Sequence, residues 1–582
     1  DRLAQAERLC VQVLRERPQD PDALRIMGLI ALKQDRQAEA LELVGQASSV
    51  RPDDPEILAA LGLVYTRSGQ PARAETCFRR VLVKVPERAE ILADLATVLQ
   101  EQGKLPEAEA ALRRAVEMEP DLVQGWFNLG VQISSSQPAE AVACFRRAQA
   151  LSPDDWEIKS NLALLLGLLF GQHEEAEQLM ERASLLDPGN PSVCINLSAL
   201  RLNRGDFAGA EEVAAEAAAL LPRQPQPLIN LGLARLGLGR HAEAVLTFVE
   251  AISLAPDDAQ AHLSLGRALF LEGKVNEAVQ RYTRAEQLDP GAGALALAQA
   301  RLLQGQYDRE AWAGLIGFAG DEPPPLKGLV LLRGDAGLAQ ALLLLRFVPA
   351  LRQRGVQAAL QCPPPVRRLL QASGLVDQLL EPGALPAQEA AEVDLAALPL
   401  LLDVGGPEDA APTYLTPDLD EVAAWRTRLG GGGRPRVGLL WTGEDHDGDP
   451  HQWIPLSAMR PLLEQGGVEW FSLQYGASEQ ELQLLAALGV TDLADDLQDV
   501  AEGLAVMAAL DLVITPDNAM AHLAGAAAVP AWILLRTAPN WCWGLQGDST
   551  PWYPSLRLFR RQTYGPWDDV LDEVGQALKS VT

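Results

Sequence analysis

Apolar and polar positions alternate at helical spacing through the first half of the chain, in pairs of segments that repeat every 33 to 35 residues. A proline closes each pair, because it cannot continue a helix. The nine closing prolines are Pro18, Pro52, Pro86, Pro120, Pro153, Pro188, Pro222, Pro256 and Pro290. This period predicts an array of helix pairs over residues 1–290, in which each pair buries its apolar face against its neighbours.

Small residues recur at fixed places within each pair. Twelve residues before each proline stands an alanine, as at Ala40, and glycines such as Gly62 recur in the first helix of several pairs. Phenylalanines such as Phe78 fill the space between pairs. This pattern is typical of tetratricopeptide (TPR) repeats, with a half repeat and eight full repeats forming a right-handed superhelix. Residues 291–322 keep helical spacing without the pattern, so we expect a helical cap.

One position in each first helix faces the concave side of such an array. That position holds Asp94, Asn128, Asn161, Asn196, Asn230 and Ser264. An asparagine amide offers an acceptor and two donors, which match a peptide unit, so the column predicts a protein segment held in the groove by its backbone. The alternative is that these amides bond within the array.

The second half changes period. After Pro323, short apolar strands alternate with helices, beginning with the strand 328–333 and a helix predicted over 338–354. A less regular stretch spans 381–417, and the linker Gly430–Gly433 precedes a second alternating unit that starts at Arg436. This order predicts two Rossmann-like domains, 323–433 and 434–582, so the fold class is an α-helical array followed by α/β domains.

One strand-to-helix loop, DLVITPDNAMAHLAGAAAVP at 511–530, carries candidate chemistry. Asp517 or Asn518 can cap the helix, whose amino end suits a phosphate. Ala519 and Ala521 permit close approach of a ligand, and His522 lies in the first turns. The alternative is an ordinary strand–helix connection with His522 bonded in the interior.

Composition narrows the partners. A net charge of -29 disfavours nucleic acids and anionic membranes. No apolar run is long enough to span a bilayer, and six scattered cysteines are typical of reduced thiols in a cytoplasmic protein. The chain begins at Asp1 inside a repeat, from which we expect that its native amino terminus is missing. The array offers surface for self-association, so a homo-oligomer remains open.

Several segments resemble bacterial TPR-containing glycosyltransferases of the GT-B fold, relatives of protein O-GlcNAc transferases and, more distantly, of heptosyltransferases. They are VGLLWTG at 437–443, WIPLSAMRPLL at 453–463, FSLQYG at 471–476, DNAMAHLAGA at 517–526 and PNWCWGLQGDSTPWYPSLRLFR at 539–560. The asparagine column resembles the one that holds the substrate chain in O-GlcNAc transferases.

This resemblance implies a site and an activity. Asp517, Asn518, Ala519, Ala521 and His522 would surround the diphosphate of a nucleotide-sugar donor, and tryptophans such as Trp541 would shape the cleft. The activity would be transfer of a sugar to Ser or Thr of a protein held by the repeats, with flagellin as one candidate.

The chain departs from this family in the loop before Ile454. The family usually carries arginines there, whereas residues 444–453 are acidic, and Trp453 replaces a serine. Between 437 and 582 there are six Lys or Arg against twenty Asp or Glu, with Arg460 and Arg536 as the cations nearest the motifs. The pocket has therefore either lost donor binding or uses a divalent metal held by the acidic loop. The alternative for the loop itself is a solvated acidic turn that binds no metal.

The general base, if chemistry survives, is expected to be His446 or His451, since an imidazole titrates near neutral pH. Three functions thus remain open from the sequence: a protein O-glycosyltransferase, a peptide-binding TPR scaffold with an inactive transferase-like domain, and a transferase that acts on a glycan or lipid.

Overall fold

The computed structural model describes residues 2–318, 326–334, 337–443 and 452–580. The chain divides into two compact units, residues 1–221 and 222–582. The last two repeats and the helical cap thus belong to the same unit as the α/β part.

The first unit consists of thirteen helices over its described residues. They are α1 (Arg2–Glu16), α2 (Pro21–Lys33), α3 (Gln37–Val50), α4 (Pro55–Arg67), α5 (Pro71–Lys84), α6 (Ala89–Glu101), α7 (Leu105–Met118), α8 (Val123–Ile133), α9 (Pro138–Leu151), α10 (Trp156–Leu169), α11 (His173–Leu186), α12 (Pro191–Asn203) and α13 (Phe207–Leu220). From α2 onward they pack as antiparallel pairs, each pair stacked on the next.

The local sequence explains where these helices begin and how closely they approach. Asp54 caps α4 by accepting the Glu56 N–H at 2.9 Å, and Pro55 takes the first helical position, where no donor is needed. Within the pair, a Cβ on Gly62 would lie 2.5 Å from the ring of Phe78, which is fully buried. The predicted small-residue crossing of the two helices is confirmed here.

The second unit begins with six more helices, and then folds into an α/β region. The six are α14 (Pro225–Gly237), α15 (His241–Leu254), α16 (Ala259–Leu271), α17 (Val275–Leu288), α18 (Ala294–Leu303) and α19 (Arg309–Leu315). The pair α18–α19 packs on α17, where the cap was expected.

The α/β region contains ten strands and ten helices among its described residues. The strands are β1 (Leu329–Arg333), β2 (Gln357–Gln361), β3 (Gln378–Leu380), β4 (Ala391–Asp394), β5 (Arg436–Leu439), β6 (Glu469–Ser472), β7 (Thr491–Asp492), β8 (Leu512–Pro516), β9 (Ala531–Leu535) and β10 (Leu556–Arg560). The helices are α20 (Leu338–Leu344), α21 (Val348–Gln353), α22 (Pro364–Ser373), α23 (Leu398–Leu401), α24 (Leu419–Leu429), α25 (Arg460–Leu463), α26 (Glu479–Ala487), α27 (Val500–Ala509), α28 (Ala519–Ala526) and α29 (Asp568–Leu578).

The strands form two parallel sheets. The first has the order β3-β2-β1-β4, and the second has the order β10-β9-β8-β5-β6-β7. In the second sheet the chain therefore proceeds outward from β5 through β6 to β7, then returns to β8 on the other side of β5. The helices pack on the sheets, and a continuous apolar core joins the last repeats, the cap and both sheets.

Two local predictions need correction. The helix expected over 338–354 is broken into α20, a 3-10 turn over Leu345–Phe347 and α21, because Pro349 has no N–H to continue the hydrogen-bond ladder. The stretch 381–417, expected to be irregular, contains β4, which pairs with β1 in the register Val330 to Ala391.

Candidate functional site

The candidate site lies at the carboxyl edge of the second sheet, where the strand order reverses between β5 and β8. Loops that leave neighbouring parallel strands in opposite directions open a crevice at such a point, and ligands of parallel α/β sheets bind there. Thr442 and Gly443 follow β5, Asp517 and Asn518 follow β8, and Arg536 follows β9.

Asn518 fixes the geometry of this crevice. Its Oδ1 accepts the N–H of Met520 at 3.0 Å and of Ala521 at 3.2 Å, which caps α28 as predicted. Its Nδ2 donates to the Thr442 carbonyl at 3.0 Å and thereby joins the loop after β8 to the loop after β5. The cap does not use the N–H of Ala519, the first residue of the helix. Ala519 is partly exposed at the crevice, whereas Ala521 is buried.

Gln474 connects a third loop, the one after β6, to the loop after β5. Its Oε1 accepts the N–H groups of Trp441 at 3.1 Å and of Thr442 at 3.0 Å. The loop after β6 is thus bonded to the loop after β5, and three adjacent loops form a connected edge.

His522 lies behind this edge, fully buried. Its Nδ1 is 3.0 Å from the Tyr553 hydroxyl, and its Nε2 is 3.8 Å from Oδ1 of Asp517. Burial lowers the pKa of His522 to about 4, although the Asp517 carboxylate acts in the opposite direction. The imidazole is therefore neutral at pH 7. Asp517 also accepts the N–H of Asn540 at 3.2 Å, and its side chain is partly exposed.

The polar chain continues inward from Tyr553. Its hydroxyl is 3.3 Å from that of Tyr414, which donates to the Leu342 carbonyl at 2.6 Å. Burial raises the pKa of both phenols above their usual value. The guanidinium of Arg346, almost fully buried, lies 4.3 Å from the centre of the Tyr553 ring. Sequence reasoning missed Arg346 and Tyr414, although a lone arginine in the apolar run LLLLRF was a usable signal.

The predicted cleft tryptophans are buried and pack on the cap. Trp541 makes edge contacts with Trp312 at 5.4 Å and with Trp552 at 5.2 Å between ring centres. The Trp552 indole N–H donates to the Tyr307 hydroxyl at 2.9 Å. These side chains therefore belong to the core beneath the crevice, and they connect this core to the helical cap.

The loops that follow β9 and β10 also contact the repeats of the same unit. The Thr537 hydroxyl donates to the Leu271 carbonyl at the end of α16 at 2.9 Å, and the rings of His241 and Tyr564 lie 3.8 Å apart. The crevice thus adjoins the turns between the helices of the last two repeats.

Several predicted site residues lie outside the described part of the chain. They are His446, His451 and the rest of the acidic loop at 444–451. Within the described ranges, no group of three or more His, Cys, Asp or Glu side chains is placed to hold a metal ion. The six cysteines are unpaired thiols. No described helix is long and apolar enough to cross a bilayer.

The asparagine column is present in the first unit, where its amides also bond within the array. Asn128 donates to Thr97 at 3.4 Å, Asn161 to the Glu157 carbonyl at 2.9 Å, and Asn196 to Ser160 at 2.9 Å. All three side chains remain partly exposed. The Oδ1 of Asn128 also accepts from Gln124 at 2.7 Å. Each amide thus bonds within the array, and each side chain keeps part of its surface exposed.

The ends of the column differ from its middle. Desolvation by burial, with help from the Glu90 carboxylate, raises the pKa of Asp94 to about 6. In the second unit, Asn230 is buried and accepts from Gln226 at 3.1 Å, and Ser264 is buried beside Gln260.

Comparison with known proteins matches the repeats. Two tetratricopeptide repeat models match residues 1–55, 59–131, 132–191 and 229–293, and residues 168–236. Protein FlbA of Caulobacter vibrioides is 38% identical over 176 residues, which are 28% of this chain and 29% of that protein. The chain therefore aligns with less than a third of this relative's length.

Two solved structures are similar to the chain at low identity. The Cut9–Hcn1 hetero-tetramer of the APC/C gives a TM-score of 0.41 at 16% identity, covering 52% of this chain and 59% of that one. Pseudomonas aeruginosa PilF gives 0.33 at 21% identity, covering 36% and 96%. From the family models and the helix pairs described above, the first half of the chain consists of tetratricopeptide repeats, an array that mediates protein interactions.

Proposed function

We propose that the chain is a protein O-glycosyltransferase, in which the repeats hold an acceptor protein and the α/β region binds a nucleotide-sugar donor. The observation that carries this proposal is the crevice between β5 and β8, at which the capped helix α28 begins. The strand order of the second sheet is that of a dinucleotide-binding Rossmann sheet. With the first parallel sheet it suits the two-domain GT-B architecture.

The donor diphosphate would lie at the amino end of α28. The N–H of Ala519 and the positive end of the helix dipole favour negative charge there. Arg536, which follows β9 at the same edge, supplies a cation for the leaving diphosphate. Asn518 acts by holding the two loops together. His522 and Trp541 support the site from behind, since both are buried.

The acceptor would be an extended segment in the groove of the repeats. Asn128, Asn161 and Asn196 repeat at the same place on α8, α10 and α12 and keep partial exposure. Amides bonded to the backbone read no side chains, so many Ser- or Thr-bearing segments would fit, flagellin among them. Six unpaired thiols suit a cytoplasmic enzyme.

A second function is favoured by a different observation. Residues 437–582 carry six Lys or Arg against twenty Asp or Glu, and of these cations Arg561 is buried and packs against Trp567. A domain so poor in accessible positive charge suits a TPR scaffold whose transferase-like part has lost donor binding.

Nucleotide binding separates the two functions. Calorimetric titration of the whole chain with UDP, GDP and CMP, each with and without Mg²⁺ or Mn²⁺, is expected to show one nucleotide that binds. The variant Ala519→Glu places a carboxylate at the start of α28 and should weaken binding at least about tenfold. Ala486→Glu, on the exposed face of α26, is the matched control. If none of the three nucleotides binds under any condition, the transferase proposal fails and the scaffold remains.

The groove is tested separately with an unfolded, carboxymethylated protein as the probe. Fluorescence anisotropy should show about tenfold weaker binding when Asn128, Asn161 and Asn196 are all replaced by alanine. Gln178→Ala, an exposed amide on the second helix of its repeat, should leave the affinity unchanged. Equal affinity for the triple variant, with its helical circular dichroism intact, would exclude the column as the binding surface.

A further inference from the structure

Tyr475 is a solvent-exposed aromatic side chain at the edge of the candidate site. It is 83% exposed, the highest value among the large apolar and aromatic side chains of the described chain. It follows β6, the strand next to β5, so it stands at the same carboxyl edge as Thr442 and Asn518. Its ring makes no contribution to the core.

The backbone that carries Tyr475 is held firmly. The buried side chain of Gln474 donates through Nε2 to the Tyr475 carbonyl at 3.1 Å. The same amide accepts the N–H groups of Trp441 and Thr442 through Oε1. One side chain therefore fixes the position of Tyr475 relative to the loop after β5.

The other side of the loop is fixed as well. Ser478 and Glu481 form a capping box at the start of α26, and Glu481 accepts the indole N–H of Trp441 at 2.7 Å. Tyr475 thus lies between two anchors that both reach Trp441. A ring displayed on a rigid loop loses little conformational entropy when a ligand packs against it.

The spacing relative to α28 suits a nucleotide. β8, β5 and β6 are consecutive in the sheet, so the ends of β8 and β6 are about 10 Å apart, two strand spacings. A diphosphate at the start of α28 would leave its nucleoside to extend across β5 toward β6. A flat base there meets an exposed phenol ring.

We propose that Tyr475 is the stacking platform for the base of the donor nucleotide, an inference that rests on the proposed transferase function. Base–aromatic stacking tolerates different bases, because each presents a π-face. Tyr475 would therefore contribute affinity for the nucleoside half of the donor and none for its phosphates.

The test uses the whole chain and two probes: the nucleotide among UDP, GDP and CMP that binds, and inorganic pyrophosphate. Tyr475→Ala should weaken nucleotide binding about 5- to 100-fold and leave pyrophosphate binding unchanged. Tyr475→Phe and Tyr475→Trp keep a ring and should stay within about threefold of the wild type. Leu482→Ala, an exposed apolar side chain on α26, is the control and should change neither affinity.

Each outcome is decisive. Wild-type nucleotide affinity in Tyr475→Ala would overturn the stacking role and leave the transferase proposal intact. Equal weakening of pyrophosphate and nucleotide would also overturn it, because Tyr475 would then act through the loop. Absence of nucleotide binding by the wild type would remove the proposed function and the stacking role together.

Discussion

The Nδ1 atom of His522 lies 3.0 Å from the hydroxyl of Tyr553, and both side chains are fully buried. The hydroxyl is also within reach of Tyr414, so a single oxygen joins α28 to the segment that follows the first sheet. The link is a fixed internal contact, which supports the loop after β8 from behind.

Tyr553→Phe is expected to destabilise the second unit by about 1–3 kcal/mol, because it leaves His522 and Tyr414 with one buried partner fewer. Urea unfolding followed by tryptophan fluorescence measures the change. Tyr475→Phe removes an exposed hydroxyl and should change the free energy of unfolding by less than about 0.5 kcal/mol. Equal stability of Tyr553→Phe and the wild type would contradict the internal role of this hydroxyl.

His522 should make stability depend on pH. Its pKa is lowered to about 4 in the folded chain, against 6.5 for a free imidazole, so between these values the unfolded chain binds more protons. The contribution is complete above pH 6.5 and is lost as pH falls through 6.5 toward 4. It amounts to about 3 kcal/mol.

The variant His522→Gln removes the imidazole and keeps every other titratable group, including the neighbouring Asp517. The difference in unfolding free energy between wild type and variant, measured in urea at several pH values, should shrink by that amount from pH 7 to pH 4. A difference that stays constant with pH would show that His522 titrates normally.

Asp94 should make stability depend on pH in the opposite direction. Its pKa is raised to about 6 by burial and by Glu90, so the folded chain holds the proton more tightly and stability falls as pH rises from about 3.8 through 6. Asp94→Asn continues the amide column and should stabilise the first unit by about 1–2 kcal/mol at pH 7, after allowance for partial exposure.

Thermal unfolding monitored by circular dichroism at pH 7 and pH 4 provides the measurement for Asp94→Asn. The gain should be mostly lost near pH 4, where the carboxyl is protonated in the folded chain and about half protonated in the unfolded chain. A gain of equal size at both pH values would assign the effect to packing instead of charge.

Gly525 lies against the Tyr553 ring, and a Cβ at this position would come within 2.3 Å of it. Gly525→Ala should therefore cost about 1–3 kcal/mol, because the ring has no free space into which to move. Gly431→Ala, in the linker and with open space around it, is the control. Guanidinium unfolding of both variants compares them, and a neutral Gly525→Ala would show that the ring can shift.

The sequence predicts the repeats well because their signal is periodic. A proline and a small residue at fixed distances predict each helix pair from α2 to α17. Because the same spacing recurs in every repeat, each repeat supports the prediction of the others. The short edge strands lack such a signal. β4, with the sequence AEVD, has a single buried residue, Val393, and exists because β1 offers it hydrogen-bonding partners.

In the candidate site, too, local features can be predicted from the sequence and long-range contacts cannot. The local sequence limits the cap of α28 to Asp517 or Asn518, since a cap bonds only to the next few residues, and the structure shows that it is Asn518. The contacts of Tyr414 with Leu342 and Tyr553 join residues 72 and 139 positions apart, and no local pattern encodes such distances. The sequence predicts His522 in the first turns of this helix, whereas its complete burial depends on Tyr553 and Trp543 from a distant segment.

The hydrogen bond from Thr537 to the Leu271 carbonyl attaches the α/β region to the last repeats. Both partners belong to the second unit, as does the apolar core that joins the last repeats, the cap and both sheets. A substitution at the end of α16 would therefore act on a repeat and on the sheet edge together, so the last repeats are part of the structural support of the crevice.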